Sequence, residues 1–283
     1  MILKTENLTH IYFEGSPFEK KAIENINLEI EKGDFAGLIG HTGCGKSTLI
    51  QHFNGLLKPT SGKVIVDGTE ISNKGLKELR EKVGLVFQYP EHQLFEETVY
   101  KDIAFGLKKK KLEENEERKR VTEAAEVVGI DSSLLDRSIY DLSGGQKRRV
   151  AIAGVIVMEP KVLILDEPAA GLDPAGRNEI LNFIKEIHEK RGLTVILVSH
   201  SMEDIAKLAN KVIVMNKGSI AMTGAPSEIF RNIDELNSIG LSAPQITRFM
   251  AELHKIYPGI DDSCFTVEQA KKELIRYMRC CHV

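Results

Sequence analysis

The spacing of apolar and polar positions predicts two strands at the start of the chain, residues 2 to 8 and 22 to 30. The second sets Ile26, Leu28 and Ile30 against polar neighbours, and the loop Phe13 to Lys21 separates the two. This pattern predicts an antiparallel flap. A short apolar strand, Phe35 to Ile39, follows the Gly33-Asp34 turn, and a helix starts after Lys46 and runs to Phe53, stopped by Asn54-Gly55 and Pro59. Lys63 to Val66 reads as a strand entering an Asp67-Gly68 hairpin turn, Leu76 to Glu81 as a helix and Val83 to Phe87 as a strand.

From residue 97 to about 160 the period changes to helix after helix. One covers Val99 to Leu107, a second carries Val121, Ala124, Ala125 and Val128 on one face, and a third begins at Ser143. The alternation then resumes with strands Val162 to Leu165 and Thr194 to Val198, helices Arg177 to Glu189 and Met202 to Leu208, and strands Val212 to Met215 and Ser219 to Met222. Strands alternating with helices predict parallel pairing in a sheet covered on both faces. Beyond Gly224-Ala225-Pro226 the apolar strands cease. Ile246, Phe249, Met250, Leu253 and Ile256 fall on one helical face, and Thr266-x-x-Gln269 has the form of a capping box opening a last helix with Val267, Ala270, Leu274 and Met278 inward. The expected division is therefore residues 1 to 225, with a helical insertion at about 97 to 160, and a small helical appendage at 226 to 283.

Composition narrows the partners. The 283 residues are 42% hydrophobic, ample for a large core, and 38 Lys and Arg against 41 Asp and Glu give a net charge of -3. No global basic field exists to hold nucleic acid. The longest apolar run, Val150 to Met158, falls far short of the roughly 18 residues that span a bilayer. Met1 to Glu6 lacks the basic and apolar segments of a signal peptide, so a cytoplasmic location is expected. Cys44, Cys264, Cys280 and Cys281 form no C-x-x-C pair, and Cys280-Cys281 read as free thiols. The run Lys108 to Lys111 reads first as a solvated loop; its sharper reading is contact with anionic lipid head groups beside a membrane partner.

The chemistry centres on Gly40-His41-Thr42-Gly43-Cys44-Gly45-Lys46-Ser47-Thr48, a G-x-x-x-x-G-K-S loop between a strand and a helix. Its glycines let backbone N–H groups curl around an anion at a helix start, Lys46 can reach the terminal phosphates, and Ser47 offers a hydroxyl to Mg²⁺. A nucleoside triphosphate is the expected ligand, and the fold class is α/β, a P-loop NTPase sheet with an N-terminal β flap. The buried strand Val162 to Leu165 ends in Asp166-Glu167 at the sheet edge where such folds bind ligands. Asp166 is expected to reach the Mg²⁺ shell and Glu167 to position water in line with the γ-phosphate. His200, after the strand Thr194 to Ser199, should reach the same edge and donate to the γ-phosphate, and Gln88 should touch Mg²⁺ or the attacking water.

A second anion cradle lies in Leu142-Ser143-Gly144-Gly145-Gln146, where Ser143 is a good N-cap and Gly144 and Gly145 let a ligand approach the helix start. It belongs to the helical insertion, so closing both cradles on one triphosphate within a single chain is geometrically unfavourable. A head-to-tail pair of chains, each phosphate loop facing the other's Ser143 to Gln146, removes the difficulty. Cys44, beside a helix N-terminus and Lys46, is expected to react with alkylating reagents and to be protected by ATP.

In this order, Gly40 to Thr48, Gln88, Leu142 to Gln146, Leu163 to Glu167, Ala170-Gly171-Leu172-Asp173 and His200 resemble an ATP-binding-cassette (ABC) ATPase over residues 1 to about 225. The resemblance implies that Tyr12 stacks on adenine, that Asp173 signals across the dimer, and that the segment after Gln88 receives a coupling helix from a membrane protein. Phe87-Gln88-Tyr89-Pro90-Glu91-His92-Gln93-Leu94-Phe95 is similar to the coupling segment of energy-coupling-factor (ECF) and cobalt-type importer ATPases, and Gly15 to Lys21, Ala169-Ala170-Gly171-Leu172-Asp173 and the tail Leu241 to Leu253 resemble the second, A-prime ATPase of that group. This narrower likeness implies a second ATPase subunit, a paralogue or alternatively a second copy, paired through the tail. It also implies a transmembrane T component serving an S component, and a peripheral position on the cytoplasmic face of the membrane. Two positions depart from common patterns: Cys44 stands where Ser is usual, and Ser201 follows His200 where Asp is frequent. The competing reading is a cassette that moves no solute and serves repair, translation or cluster assembly.

Overall fold

The computed structural model describes residues 1–71 and 75–280. Among the described residues, ten strands form two sheets. Strands β1 (Leu3–Tyr12), β2 (Lys20–Ile30), β3 (Phe35–Ile39), β4 (Ser61–Val66) and β5 (Thr69–Glu70) precede β6 (Val83–Val86), β7 (Val162–Asp166), β8 (Thr194–Val198), β9 (Lys211–Asn216) and β10 (Ser219–Gly224). The order β2-β1-β4-β5 makes the antiparallel flap, and β10-β9-β3-β8-β7-β6 makes the main sheet. Within the main sheet β9, β3, β8, β7 and β6 run parallel, whereas β10 turns back antiparallel on β9.

The pattern of burial explains the architecture. Every residue of β3, β6, β7 and β8 is buried, as a parallel sheet covered on both faces requires. One face packs a core that includes Phe35, Val99, Val121, Val150, Leu165, Ile184 and Leu197. The other packs Leu8, Ile23, Leu38, Phe53, Ile164 and Val198 beneath the flap. Strand β1 runs four residues beyond the expected limit of residue 8. Asn7 adopts φ 49° and the register of β1 with β2 and β4 shifts around it. Such a bulge interrupts the inside-outside alternation from which a strand is read, although the strand continues to Tyr12.

The helices are α1 (Lys46–Phe53), α2 (Leu76–Lys82), α3 (Val99–Ala104), α4 (Glu114–Val127), α5 (Gly144–Ile156), α6 (Pro174–Arg191), α7 (Met202–Leu208), α8 (Pro226–Arg231), α9 (Ile233–Ser238), α10 (Gln245–Ile256) and α11 (Val267–Cys280). Helices α3 to α5 form the inserted helical layer. No helix among the described residues is long and apolar enough to cross a membrane. In the lysine run, Lys108 pairs with Glu96 at 2.6 Å and lies over the Phe105 ring, while Lys110 donates to the Met158 carbonyl. Two of the four lysines therefore have partners within the chain.

After β10 the chain first packs back on the sheet: Ile229, Phe230, Leu236, Leu241 and Ala243 belong to the main core. A separate small core then gathers Met250, Ile260, Cys264 and Ala270. The capping box is present, with the Gln269 N–H donating to Thr266 Oγ1 at 3.3 Å and the Thr266 N–H to Gln269 Oε1 at 3.2 Å. The inward face of the tail is narrower than its spacing predicts. Val267 and Met278 of α11 are 64% and 52% exposed, and Phe249 and Ile256 of α10 are 51% and 67% exposed. Two helices facing each other bury one stripe apiece, and the rest of each apolar face lies open. Cys281 lies outside the described residues.

Candidate nucleotide site

The carboxyl ends of β3, β6, β7 and β8 converge, and each delivers one element of the site. After β3, the loop Gly40 to Gly45 leads straight into α1. Gly45 has φ 104°, and a Cβ there would lie 2.8 Å from the Ala22 carbonyl oxygen and 2.7 Å from Ile23, so only glycine lets the loop pass beneath β2. Lys46 is buried, and its Nζ donates to the carbonyls of Gly40 at 2.6 Å and His41 at 3.1 Å. The same Nζ lies 4.0 Å from Cys44 Sγ, so the ammonium closes the loop on the loop's own atoms, and a phosphate would compete only with a weak sulfur acceptor for its third donor. His41 turns its Nδ1 to the Thr42 carbonyl at 2.9 Å and its Nε2 to Asn216 at 3.3 Å.

Cys44 does not sit as its sequence position suggests. The thiol is fully buried in the core beneath the loop, and a Cβ at Gly40 would lie 2.6 Å from its sulfur. A small side chain is what this space accepts. Access for an alkylating reagent would require opening the core, so the expectation of a reactive thiol there is withdrawn.

Ser47, in the first turn of α1, donates its hydroxyl to Asp166 Oδ2 at 3.4 Å. Burial at the end of β7 and the adjacent Glu167 carboxylate push the Asp166 pKa up, against the hydroxyl of Ser47. A hydroxyl and a carboxylate side by side are hard oxygen donors, the type Mg²⁺ takes when phosphates and water complete its shell. No group of three or more His, Cys, Asp or Glu among the described residues is arranged to hold a metal alone. The donor set therefore fits an ion that arrives with a nucleotide.

Glu167 occupies a left-handed backbone conformation, φ 51°, which costs an L residue about 1–2 kcal/mol. Its N–H continues the sheet by donating to the Val198 carbonyl at 3.0 Å, and the side chain then faces back across the strand ends. One carboxylate oxygen lies 2.6 Å from His200 Nε2 and the other accepts from Gln88 Nε2 at 3.1 Å. Three residues far apart in sequence thus meet in one cluster. Strain of this kind persists where the surrounding structure holds it and is common at functional sites.

Tyr12, the last residue of β1, lies beside the same loop, its hydroxyl 3.2 Å from Thr48 Oγ1 and its ring edge-on to His10. Asp173 caps α6, its carboxylate accepting from the Gly176 N–H at 2.8 Å. The second cradle stands apart. Ser143 and Gln146 close a capping box on α5, with bonds of 2.9 and 3.3 Å, and nothing lies within 4 Å of a Cβ built at Gly144 or Gly145. Among the described residues, Ser143 to Gln146 have no hydrogen bond to the phosphate loop.

One residue of this region gave no signal in the sequence. Arg148, within the basic triplet Lys147-Arg148-Arg149, is buried and joins Glu91 to the carbonyls of Pro168 and Ala170. Three adjacent cations on a helix do not reveal which one turns inward.

The sheet order, the phosphate loop and the carboxylate pair at the strand ends define a nucleotide-binding cassette. The ABC transporter family profile matches residues 23–170, and the chain belongs to the ABC transporter ATPase family. It is 59% identical to the energy-coupling factor transporter ATP-binding protein EcfA2 of Clostridium tetani, over 98% of this chain and 97% of that protein. It is 56% identical to EcfA2 of Acetivibrio thermocellus, over 99% of each. Among solved structures it is similar to cbiO1 from Clostridium perfringens, described as part of the ABC transporter complex cbiONQ, with 43% identity and a TM-score of 0.75 over 90% of this chain and 98% of that one. It is also similar to the ATP-binding cassette MJ0796 in a dimeric post-hydrolysis state with ADP and Pi, with 27% identity and a TM-score of 0.71 over 80% of this chain and 99% of that one. These relatives do not favour a cassette serving repair, translation or cluster assembly.

Proposed function

We propose that the chain is the ATP-hydrolysing motor subunit of an ECF-type importer, coupling ATP binding and hydrolysis at a dimer interface to uptake of a micronutrient, a vitamin or a transition-metal ion. The observation that carries this reading is the Gln88–Glu167–His200 cluster beside the phosphate loop, in a chain similar to transporter ATPases over its whole length. Residues 1–225 would form the nucleotide-binding domain, with its helical subdomain at about 97–160. Residues 226–283 would form a dimerisation appendage, and the apolar residues left open on α10 and α11 support that use.

The geometry supports the following roles. Backbone N–H groups from Gly40 to Thr48 and the Lys46 ammonium bind the β- and γ-phosphates, and Tyr12 stacks on the adenine. Ser47 and Asp166 hold Mg²⁺ with Gln88 at its edge; when bound, the ion neutralises charge on the phosphate oxygens. Glu167 acts chiefly by orienting water in line with the γ-phosphate, between Gln88 and His200. His200, now turned to Glu167, donates to the γ-phosphate oxygens once a nucleotide separates the pair. Ser143, Gly144, Gly145 and Gln146 close on the nucleotide of the other subunit, and Asp173 lies at the same interface.

The partners are a second ABC ATPase, a paralogue or alternatively a second copy, and a transmembrane T component docked on the segment after Gln88. An S component is engaged indirectly, and the chain sits at the cytoplasmic face of the membrane. The isolated chain binds ATP and hydrolyses it slowly. Extraction of the full-length chain from membranes tests this directly: a second cassette and a polytopic membrane protein should copurify. Recovery of the chain with no integral membrane protein would overturn the transport reading.

A further inference from the structure

Arg148 lies on α5, one turn beyond the Ser143 cap, with its side chain 3% exposed. Its Nε and Nη2 donate to the two carboxylate oxygens of Glu91 at 3.0 and 2.7 Å. Its Nη1 donates to the Pro168 carbonyl at 2.8 Å and the Ala170 carbonyl at 3.0 Å. Glu91 belongs to the helical turn Pro90–Gln93 that follows Gln88. Pro168 follows Glu167 directly, and the Ala170 N–H donates to the Glu167 carbonyl at 3.0 Å, closing a tight turn around Pro168. One guanidinium therefore grips the segment after Gln88 on one side and the turn that carries Glu167 on the other.

The chemistry suits a rigid link. The planar fork of Arg meets a carboxylate in two parallel bonds and still has donors for carbonyls, which a lysine ammonium cannot match in this geometry. Burial works against the Glu91 carboxylate, but Arg148, helped by the Glu91 N–H and His92, holds the Glu91 pKa below its ordinary value. Pro168 fixes its own φ, and Glu167 sits in a left-handed conformation, so the held turn has little slack.

We infer that Arg148 is a positioning residue that makes the place of the Glu167 carboxylate depend on the place of Glu91. A displacement of the turn Pro90–Gln93 is then felt at the water-orienting carboxylate and at the start of α5 together. The two nucleotide sites that this chain serves, one with Glu167 and one with Ser143 to Gln146, are tied through one side chain. The inference rests on the proposed function in one respect: the membrane component pushes on the segment after Gln88.

The test uses the full-length chain, alone and in the complex extracted from membranes, with Arg148→Met, Arg148→Lys, Glu91→Gln and the double variant Glu91→Gln/Arg148→Met. Arg148→Met should lower kcat for ATP about 10–100-fold, the scale of a misplacement near 1 Å, while KM stays within about threefold. Hydrogen exchange of the chain alone should speed up about tenfold in residues 168–172 and stay unchanged in β3 and α1. Arg148→Lys should recover only part of the loss, and the double variant should be no slower than Arg148→Met, as expected for two ends of one link. In the complex, the variant's ATP turnover should lose its response to the membrane component. Unchanged kcat, equal falls in kcat and in apparent affinity, or wild-type exchange at 168–172 would each overturn the inference. Should Arg148→Met fail to fold, Glu91→Gln decides by the same measures with a smaller shift in the same direction. If no membrane protein copurifies, the transport reading fails while the kcat and exchange results still judge Arg148.

Discussion

The loop from Gly40 to Thr48 and the loop from Leu142 to Gln146 both place glycines ahead of a helix, yet they are finished in opposite ways. The first is held by Lys46 against two of its own carbonyls, by Asn216 through His41, by Tyr12 through Thr48 and by Asp166 through Ser47. The second makes its side-chain hydrogen bonds within one capping box and leaves both glycines facing open space. On the proposed function, the first cradle is completed within its own chain and is wired to neighbouring strands, whereas the second would serve another subunit and would need only a stiff helix behind it. The difference would then account for two anion sites on one chain whose turnover depends on a partner.

The largest expected effect tests whether chemistry belongs to the wired side. Glu167→Gln should reduce kcat by about 10²-fold or more, because the water is no longer held in line while the phosphate contacts remain, and ATP affinity should change by less than about threefold. The amide still accepts one bond and preserves most of the cluster's shape. Single-turnover hydrolysis read beside equilibrium binding checks the split, and near-normal turnover would remove Glu167 from its role. Lys46→Ala should act on binding instead. Loss of a charge-assisted hydrogen bond costs about 1.5–3 kcal/mol, or roughly 10–100-fold in the ATP Kd, and the loop also loses the two carbonyl bonds that shape it. Titration calorimetry reads the change, and an unaltered Kd would mean that the backbone alone binds the phosphates.

Which parts were legible follows from the range of the interactions. The phosphate loop, the Asp166-Glu167 pair and the Ser143 cap are short patterns whose chemistry lies in adjacent residue types, and a strand before each of the first two fixes the sheet edge it reaches. The parallel sheet was legible for the same reason, since β3, β7 and β8 are unbroken apolar runs. Tertiary geometry hid the rest. Asn7 breaks the alternation of β1 without ending the strand, the burial of Cys44 depends on β9 passing beneath Gly40, and the inward turn of Arg148 is decided by Glu91, which lies 57 positions away. In the tail, helical spacing identifies an apolar face but not how much of it the neighbouring helix covers, so Val267 and Met278 were assigned inward and lie exposed.

A milder substitution probes the unwired side. Ser143→Ala removes the cap of α5 and should cost about 1 kcal/mol of stability. Binding of ATP to the same chain should be unchanged within about twofold, because Ser143 has no bond to its own phosphate loop, while turnover of the assembled dimer falls about tenfold. A weakened Kd in the isolated chain would contradict the separation of the two cradles. Mixing Ser143→Ala chains with wild-type partners, and measuring each site's turnover, would sharpen it.

The smallest effect concerns pH and separates the two helices that follow the cradles. On α1, His52 is 1% exposed, its Nδ1 lies 2.7 Å from the Thr48 carbonyl, and its Nε2 has no hydrogen-bond partner among the described residues. Its ring meets the edge of His10, which in turn meets Tyr12. Burial lowers the His52 pKa below the ordinary 6.5, and the nearby His10 adds to the shift against the pull of the Thr48 carbonyl. The unfolded chain therefore binds a proton at His52 that the folded chain refuses, so stability is full above pH 6.5 and declines as pH falls toward the lowered folded pKa. His52→Gln should remove that part of the slope, so the difference in Tm between the two proteins should narrow or reverse between pH 7 and pH 5.5, at about 2–4 °C for each kcal/mol. Ser143→Ala carries no titrating group and should shift Tm by the same amount across that range. A pH-independent gap for His52→Gln would mean that His52 is protonated equally in both states, and the contrast between the two helices would then lie in their hydrogen bonds alone.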